Sequence, residues 1–405
     1  YILYGAPAAC IVNGKNGAGD RGLRAGGSVR PGRGRPRAVW YFLAIALLLA
    51  GWSVLVQFWY RERADSGIRR ARQELAAGRQ ESAVRYYERA LSQAPGRPEA
   101  ALELAGVYSR SREHAKAAAV LERTLAVVKR SGKDTELRPL TYALASESFL
   151  LGDYRRTVDL LGSVLPGGTD EPARSVSWYE LLAHASALAD DHEGADNWYV
   201  QASRLSREHS LGPALLRIVL AQADNAWEAY VVSRMSPGPG GQHAVGSLPS
   251  VIRSYEEAGE EAVRQKDVLA QARVAEGLAR VYRLQDDWGR AVPFYQKAIA
   301  LWNSLPVLTW EEKARLLNAY LDLAGGYVQP GLNFTEALHS LDQFRKLAET
   351  FKAIPAEFAP SVHILERKFE LFLSQLSGRG YKNSDIYKRA SVIYDRFITI
   401  PYLDP

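Results

Sequence analysis

Apolar residues fall into two patterns along this chain. From Val39 to Tyr60 they run without interruption: the segment VWYFLAIALLLAGWSVLVQFWY has no formal charge, and Gln57 is its only strongly polar side chain. From Ala64 onward they recur with the three-to-four-residue period of amphipathic helices, broken at short intervals by Gly, Pro and Asp turns. The first pattern predicts a helix that is apolar on every side. At about 1.5 Å per residue it covers the ~30 Å hydrocarbon core of a bilayer. Its ends carry Trp40, Tyr41 and Phe42 on one side and Phe58, Trp59 and Tyr60 on the other, aromatic residues that settle at headgroup level. Residues 39–60 therefore read as a transmembrane helix, with these six aromatics as its membrane anchor and the lipid bilayer as a partner.

Within the second pattern, small and large apolar residues recur at fixed positions. Residues 64–97 supply Ala71, Ala83, Tyr87 and Ala90, with Gly78 between two helical stretches and Pro95 at the end. A second unit supplies Leu104, Ala105, Tyr108, Ala117 and Leu121, and a third Leu144, Ala145, Gly152, Tyr154 and Leu161, with Thr157 in place of a small residue. A fourth has Ala183, Ala195, Tyr199 and Ala202; a fifth has Leu278, Ala279, Tyr282, Trp288, Ala291, Tyr295 and Ala298. A degenerate sixth has Gly325, Phe334, Ala337 and Leu341 after the irregular turn VQPGLN. Small residues at such places let two helices of a pair lie against each other and against the next pair, while the large ones fill the holes between them.

Over about two thirds of its length the chain resembles the tetratricopeptide repeat family, whose 34-residue unit sets small residues at positions 8, 20 and 27 and a large one at 24. The resemblance implies an all-α fold: a single N-terminal transmembrane helix, then an α-solenoid of antiparallel helix pairs. The expected organisation is a basic Gly/Arg-rich tail (1–38), the span (39–60), an N-terminal repeat block (61–235), a Gly/Pro loop (236–250), a C-terminal repeat block (251–354) and closing helices (355–405). Leu205 to Arg234 is helical in composition but lacks the repeat signature. The closing helices are rich in aromatics, and Phe369, Phe372, Tyr387, Tyr394 and Phe397 are candidates either to cap the core or to dock on a partner.

Charge sharpens the topology. Residues 1–38 hold seven basic residues against the single acid Asp20, so the chain's net charge of +6 resides there, and the remainder balances. Such a remainder has no basic field to attract nucleic acid. By the positive-inside rule the tail stays on the cytoplasm-like side and the repeats face the other way. The acid-poor, Arg-rich tail also has the composition of an organellar targeting segment. Cys10 is the only cysteine, so no intramolecular disulfide forms and stability comes from packing.

Little in the sequence points to chemistry. Phosphate-loop, zinc-protease and serine-hydrolase motifs are absent, and Gly17-Ala18-Gly19-Asp20-Arg21-Gly22 fits a dinucleotide fingerprint only by chance, since no strand–helix context surrounds it. His184 and His192, with Asp190, Asp191 and Glu193, lack the spacing of metal ligands on one helix face and read as a solvated turn. Asn333-Phe334-Thr335 is a glycosylation sequon. We expect no enzyme activity, no cofactor, no metal and no small-molecule substrate.

The resemblance then implies recognition of protein partners. Relatives that bind acidic chaperone C-termini carry Lys and Asn in their first repeats; here those positions hold Ile68, Arg72 and Glu103, so that activity does not carry over. Arg273, Arg280 and Arg283 are the candidate partner groove: their spacing of 7 and 3 puts them on one helix face, with Glu276 among them. Ordinary internal ion pairing would give the same pattern. The plan of basic tail, one span and a large repeat domain is similar to that of accessory or assembly subunits of respiratory and ATP-synthesising complexes in the mitochondrial inner membrane, with repeats in the intermembrane space. Adaptors for a membrane protease or translocase share it, and a bacterial plasma membrane fits the same topology.

Overall fold

The computed structural model describes residues 36–131, 134–165, 171–235, 247–329 and 333–403. The helix α1 (Pro36–Ala76) contains the whole apolar run. The side chains of Trp40, Tyr41, Phe42 and Phe58 lie outside the described residues, whereas Trp59 and Tyr60 are exposed and meet edge to face at 5.5 Å. Among the described residues, no helix is long and apolar enough to cross a membrane. The chain divides into two compact units, Tyr1–Glu62 and Arg63–Pro405.

The second unit is an α-solenoid. After α1 come α2 (Gln80–Gln93), α3 (Pro98–Arg110), α4 (His114–Ser131), α5 (Asp134–Leu150), α6 (Tyr154–Gly162), α7 (Pro172–Leu188) and α8 (His192–Glu208). Then follow α9 (Gly212–Met235), α10 (Leu248–Arg264), α11 (Val268–Leu284), α12 (Trp288–Ser304), α13 (Trp310–Tyr327), α14 (Phe334–Ala348), α15 (Ala359–Gly378) and α16 (Asp385–Phe397). Each odd-numbered helix pairs with the even one after it. The spacing of small residues decides this: Ala71, Ala83, Ala90, Ala183, Ala195, Ala279, Ala291 and Ala298 are buried at the helix contacts, and Tyr87, Tyr199 and Tyr295 fill the spaces between them.

The turns are as regular as the helices. Gly78, Gly152, Asp190, Lys266 and Asp286 all adopt the left-handed backbone, with φ between 57° and 80°. An aspartate follows four of them and caps the next helix: Asp153, Asp191, Asp267 and Asp287 each accept a hydrogen bond from the backbone N–H three residues on. The acidic turn around Asp191 is thus a helix start. Asn333 of the sequon plays the same part for α14, accepting from the Glu336 N–H.

α9 and α10 form a pair that the repeat register does not reveal. Ala223 and Tyr255 occupy the places that Ala183 and Tyr199 hold one unit earlier, and Val251 stands where the others have alanine; all are buried. One core cluster joins Leu216, Val219 and Ala223 of α9 to Val251 and Tyr255 of α10 and to Ala279 and Tyr282 of α11.

Among the described residues, odd-numbered helices touch their odd neighbours along the stack, as in α3 with α5, α7 with α9 and α13 with α15, whereas the close contact between even ones is that of α14 with α16. The side on which neighbours close up is the inner side of a curved array, so the odd helices line the concave face.

At the far end the closing helices seal the core. Phe369, Phe372 and Phe397 are buried, and Phe344 meets both Phe369 and Phe397 edge to face at 5.2 and 5.3 Å. These three rings are core and offer nothing to a partner, which corrects the docking alternative for them. Tyr387 and Tyr394 are half-buried, and the Tyr394 hydroxyl donates to Glu370 at 2.6 Å. A two-residue parallel pairing of β1 (Ile354–Pro355) with β2 (Tyr402–Leu403) ties the end of the chain back to the start of this cap.

Candidate functional site

The inner face from α9 to α15 carries the densest set of interacting charges among the described residues. Helix periodicity puts Arg273, Glu276, Arg280 and Arg283 on one face of α11, a stretch of roughly 15 Å. Arg273 donates to Asp224 of α9 at 3.0 Å. Arg280 approaches the same carboxylate at 3.9 Å and stacks over the Trp227 ring at 5.6 Å. Arg283 reaches across to Asp322 of α13 at 3.6 Å. From α13, Arg315 pairs with Glu276 at 3.3 Å, and from α15, Lys368 donates to Asn318 at 2.5 Å and Asp322 at 3.3 Å. Each of these ion pairs links one odd helix to the next.

Tyrosine hydroxyls form the floor. Tyr255 of α10 donates to Asp224 at 2.7 Å, and Tyr295 of α12 donates to Asp322 at 3.0 Å. Their side chains come through from the even helices, and small residues on the odd ones make room. Gly277 faces Tyr255: a Cβ there would stand 2.5 Å from Tyr255 Cζ. Gly326 faces Trp288 in the same manner, with a Cβ 2.7 Å from Trp288 Cε3, whereas Gly325 meets open space. The small contact residue of the sixth sequence repeat is therefore Gly326, one position later than the register suggests.

Electrostatics follow from this crowding. Burial, and then the adjacent carboxylates, push the Tyr255 and Tyr295 hydroxyls well above the usual phenol range. Burial alone would pull the Arg280 guanidinium down, but Tyr255, Glu276 and Asp224 outweigh it and hold the charge more firmly than usual. Lys368 goes the other way: burial lowers it, and Asp322 offsets only part of that. The Nε atoms of Arg273, Arg280 and Arg283 are buried and meet no acceptor, so donors outnumber acceptors in this cluster.

The remaining sequence candidates lie elsewhere. His184 sits by Tyr199, with Nδ1 3.0 Å from its hydroxyl, and His192 meets Asn225 at 2.8 Å. They do not converge, and among the described residues no group of three or more potential ligands could hold a metal ion. Sequence reasoning found the three arginines but missed Asp224, Asp322, Arg315 and Lys368. Those come from neighbouring pairs, and no single-helix period relates them.

Comparison with known proteins agrees with the repeat geometry. Tetratricopeptide repeat profiles match residues 74–131 and 275–306. The chain contains tetratricopeptide repeats. The first match runs from the end of α1 through α4, and the second covers most of α11 and α12, so the candidate arginines at 280 and 283 lie inside a matched repeat. Among solved structures, the apo form of RapI is 12% identical with a TM-score of 0.50, covering 83% of this chain and 98% of that one. The apo quorum sensor NprR from B. thuringiensis is 13% identical (TM-score 0.45, 84% and 99% covered), and BtubC (BKLC) from P. vanneervenii is 20% identical (TM-score 0.44, 57% and 90%). Likeness at this level to RapI is likeness of fold, a helical solenoid over most of the chain. No curated protein matches it.

Proposed function

We propose that this tetratricopeptide-repeat protein is a non-catalytic scaffold. The apolar run 39–60 holds it to a membrane, and its repeat array binds other proteins as an accessory or assembly subunit of a large membrane complex. The observation that carries the reading is the cross-linked inner face from α9 to α15. Its ionisable groups are tied between neighbouring helices, an arrangement suited to presenting a rigid charged surface rather than to shuttling protons. The exposed Leu47, Leu48, Leu49, Trp52 and Leu55 of α1, within a 22-residue segment free of charge, support the anchor. The basic tail favours a topology with repeats on the far side, and the mitochondrial inner membrane is the site we favour, with the array in the intermembrane space.

The test is extraction of native membranes with mild detergent, sizing, and mass spectrometry of what comigrates. The reading expects comigration with one complex at fixed stoichiometry. Migration alone would overturn it, and migration with a protease and a changing set of clients would replace it with a substrate adaptor.

A further inference from the structure

The inner face is not electrically uniform. Toward the N-terminal end its ions balance in pairs: Arg72 grips Glu103 with two nitrogens, at 3.0 and 2.5 Å, and Arg217 grips Glu180 at 2.5 and 2.7 Å. Tyr87 completes the first pair by donating to Glu103 at 2.6 Å. Between α9 and α15 the balance fails. Among the described residues, Arg273, Arg280, Arg283, Arg315 and Lys368 face Asp224, Glu276 and Asp322, with one further carboxylate, Glu311, largely exposed at the start of α13, reaching Arg315 from the solvent side. Asp322 is shared by Arg283, Lys368 and the Tyr295 hydroxyl, so two of the five cations lean on one carboxylate. The side chains of the five cations keep between 23% and 34% of their surface open, which makes them reachable from the groove while held in place by neighbours.

We infer that this cluster is a recognition site for an acidic segment of a partner protein, bound extended across α11, α13 and α15 through its side-chain carboxylates. The inference rests on the scaffold reading and names the chemistry of its partner. An excess of preorganised guanidinium donors suits carboxylates, which accept two N–H groups at once. Neighbouring helices lie ~10 Å apart, so three inner helices span about 20 Å, the reach of roughly six extended residues. Trp227, stacked on Arg280, gives the site an apolar edge.

The experiment uses the full chain in mild detergent and fluorescence anisotropy. The probe is a labelled, C-terminally amidated twelve-residue peptide of alternating Asp and Ser, with its Asn–Ser counterpart as the neutral isostere. Amidation removes the terminal carboxylate, so binding reports side chains. The expected result is that the Asp peptide binds about tenfold or more tighter than the Asn peptide, and that added salt weakens it. Arg280→Gln with Arg283→Gln should abolish that preference, while Arg72→Gln at the paired end should leave it intact. Because the double substitution strips partners from Asp224 and Asp322, its melting curve is recorded alongside, and the Asp-against-Asn comparison on the natural chain decides the matter without it. Equal binding of the two peptides, or none, overturns the acidic-segment assignment. The scaffold reading falls separately, if native extraction recovers the chain alone or with a protease and a changing set of clients.

Discussion

Exchanging glycine for alanine at two helical positions should move stability in opposite directions. Gly106 lies inside α3 with nothing within 4 Å of where a Cβ would sit. There, alanine gains helix propensity and reduces unfolded-chain entropy, worth about 0.5–1 kcal/mol. Gly277 lies inside α11 against the ring of Tyr255, with a Cβ placed 2.5 Å from Cζ and 2.9 Å from Cδ1. Ordinary carbon contacts begin near ~3.5 Å, so the ring must withdraw by about 1 Å. It has nowhere to go: Tyr255 is fully buried, and its hydroxyl is held at 2.7 Å by Asp224. Overpacking costs about 1–3 kcal/mol, and stretching a hydrogen bond to a carboxylate adds about 1 or more. After subtracting the propensity gain, Gly277→Ala should destabilise by roughly 2 kcal/mol. Thermal unfolding of the full chain followed by circular dichroism measures both variants in one background. Gly106→Ala should melt higher and Gly277→Ala lower, and adding Tyr255→Leu to the latter should recover part of the loss. If Gly277→Ala melted higher than the natural chain, Tyr255 could not lie beneath α11 as described, and the floor of the groove would be wrong.

The same geometry sets three further expectations. Lys266→Gly, at a turn where φ is 57°, should relieve left-handed strain and raise the melting point by an amount equivalent to about 1 kcal/mol. Asp322→Asn removes the carboxylate shared by Arg283, Lys368 and Tyr295. With the two cations partly screened by solvent it should cost about 2 kcal/mol in denaturant unfolding, and a change below about 0.5 would show that the network is incidental. His184 is held below its ordinary 6.5 by burial, with Arg217 adding to the effect and Glu180 opposing it, beside the Tyr199 hydroxyl. Its neutral form is the one the fold favours, so its contribution is complete above pH 6.5 and is lost as pH falls below that, where the unfolded chain takes up the proton first. His184→Gln should flatten the pH dependence of stability in that window, and an unchanged slope would count against this assignment.

The repeat was legible because steric demands repeat. Wherever two helices cross, a small residue is needed, and Ala71, Ala83, Ala183, Ala279 and Ala291 announce it at constant spacing. The same logic placed Arg273, Arg280 and Arg283 on one face, since three residues on a single helix are related by its period. What escaped lay beyond that period. Ala223 and Val251 stand twenty-eight positions apart instead of twelve, because α9 continues to Met235 and α10 begins only at Leu248, and Val251 breaks the small-residue rule as well. Asp224 lies 49 positions from Arg273, and Lys368 lies 46 from Asp322, separations set by the stacking of pairs rather than by any helix. The aromatics of α15 and α16 were ambiguous for another reason. A terminal pair must close a core on one side, and composition does not say which side each ring faces; burial of Phe369, Phe372 and Phe397 answers it.

Binding of another protein on the inner face from α9 to α15 is tested most directly by site-specific crosslinking. Glu311 on α13, and separately Lys297 on the outer face of α12, is replaced with a photo-crosslinking residue in the full chain in its native membrane. Both positions are exposed, and only the first adjoins the arginine cluster. The expected result is one dominant crosslinked partner from position 311 and none of that protein from 297. Crosslinks to the same partner from 297 alone would contradict it and move the binding surface to the outer helices.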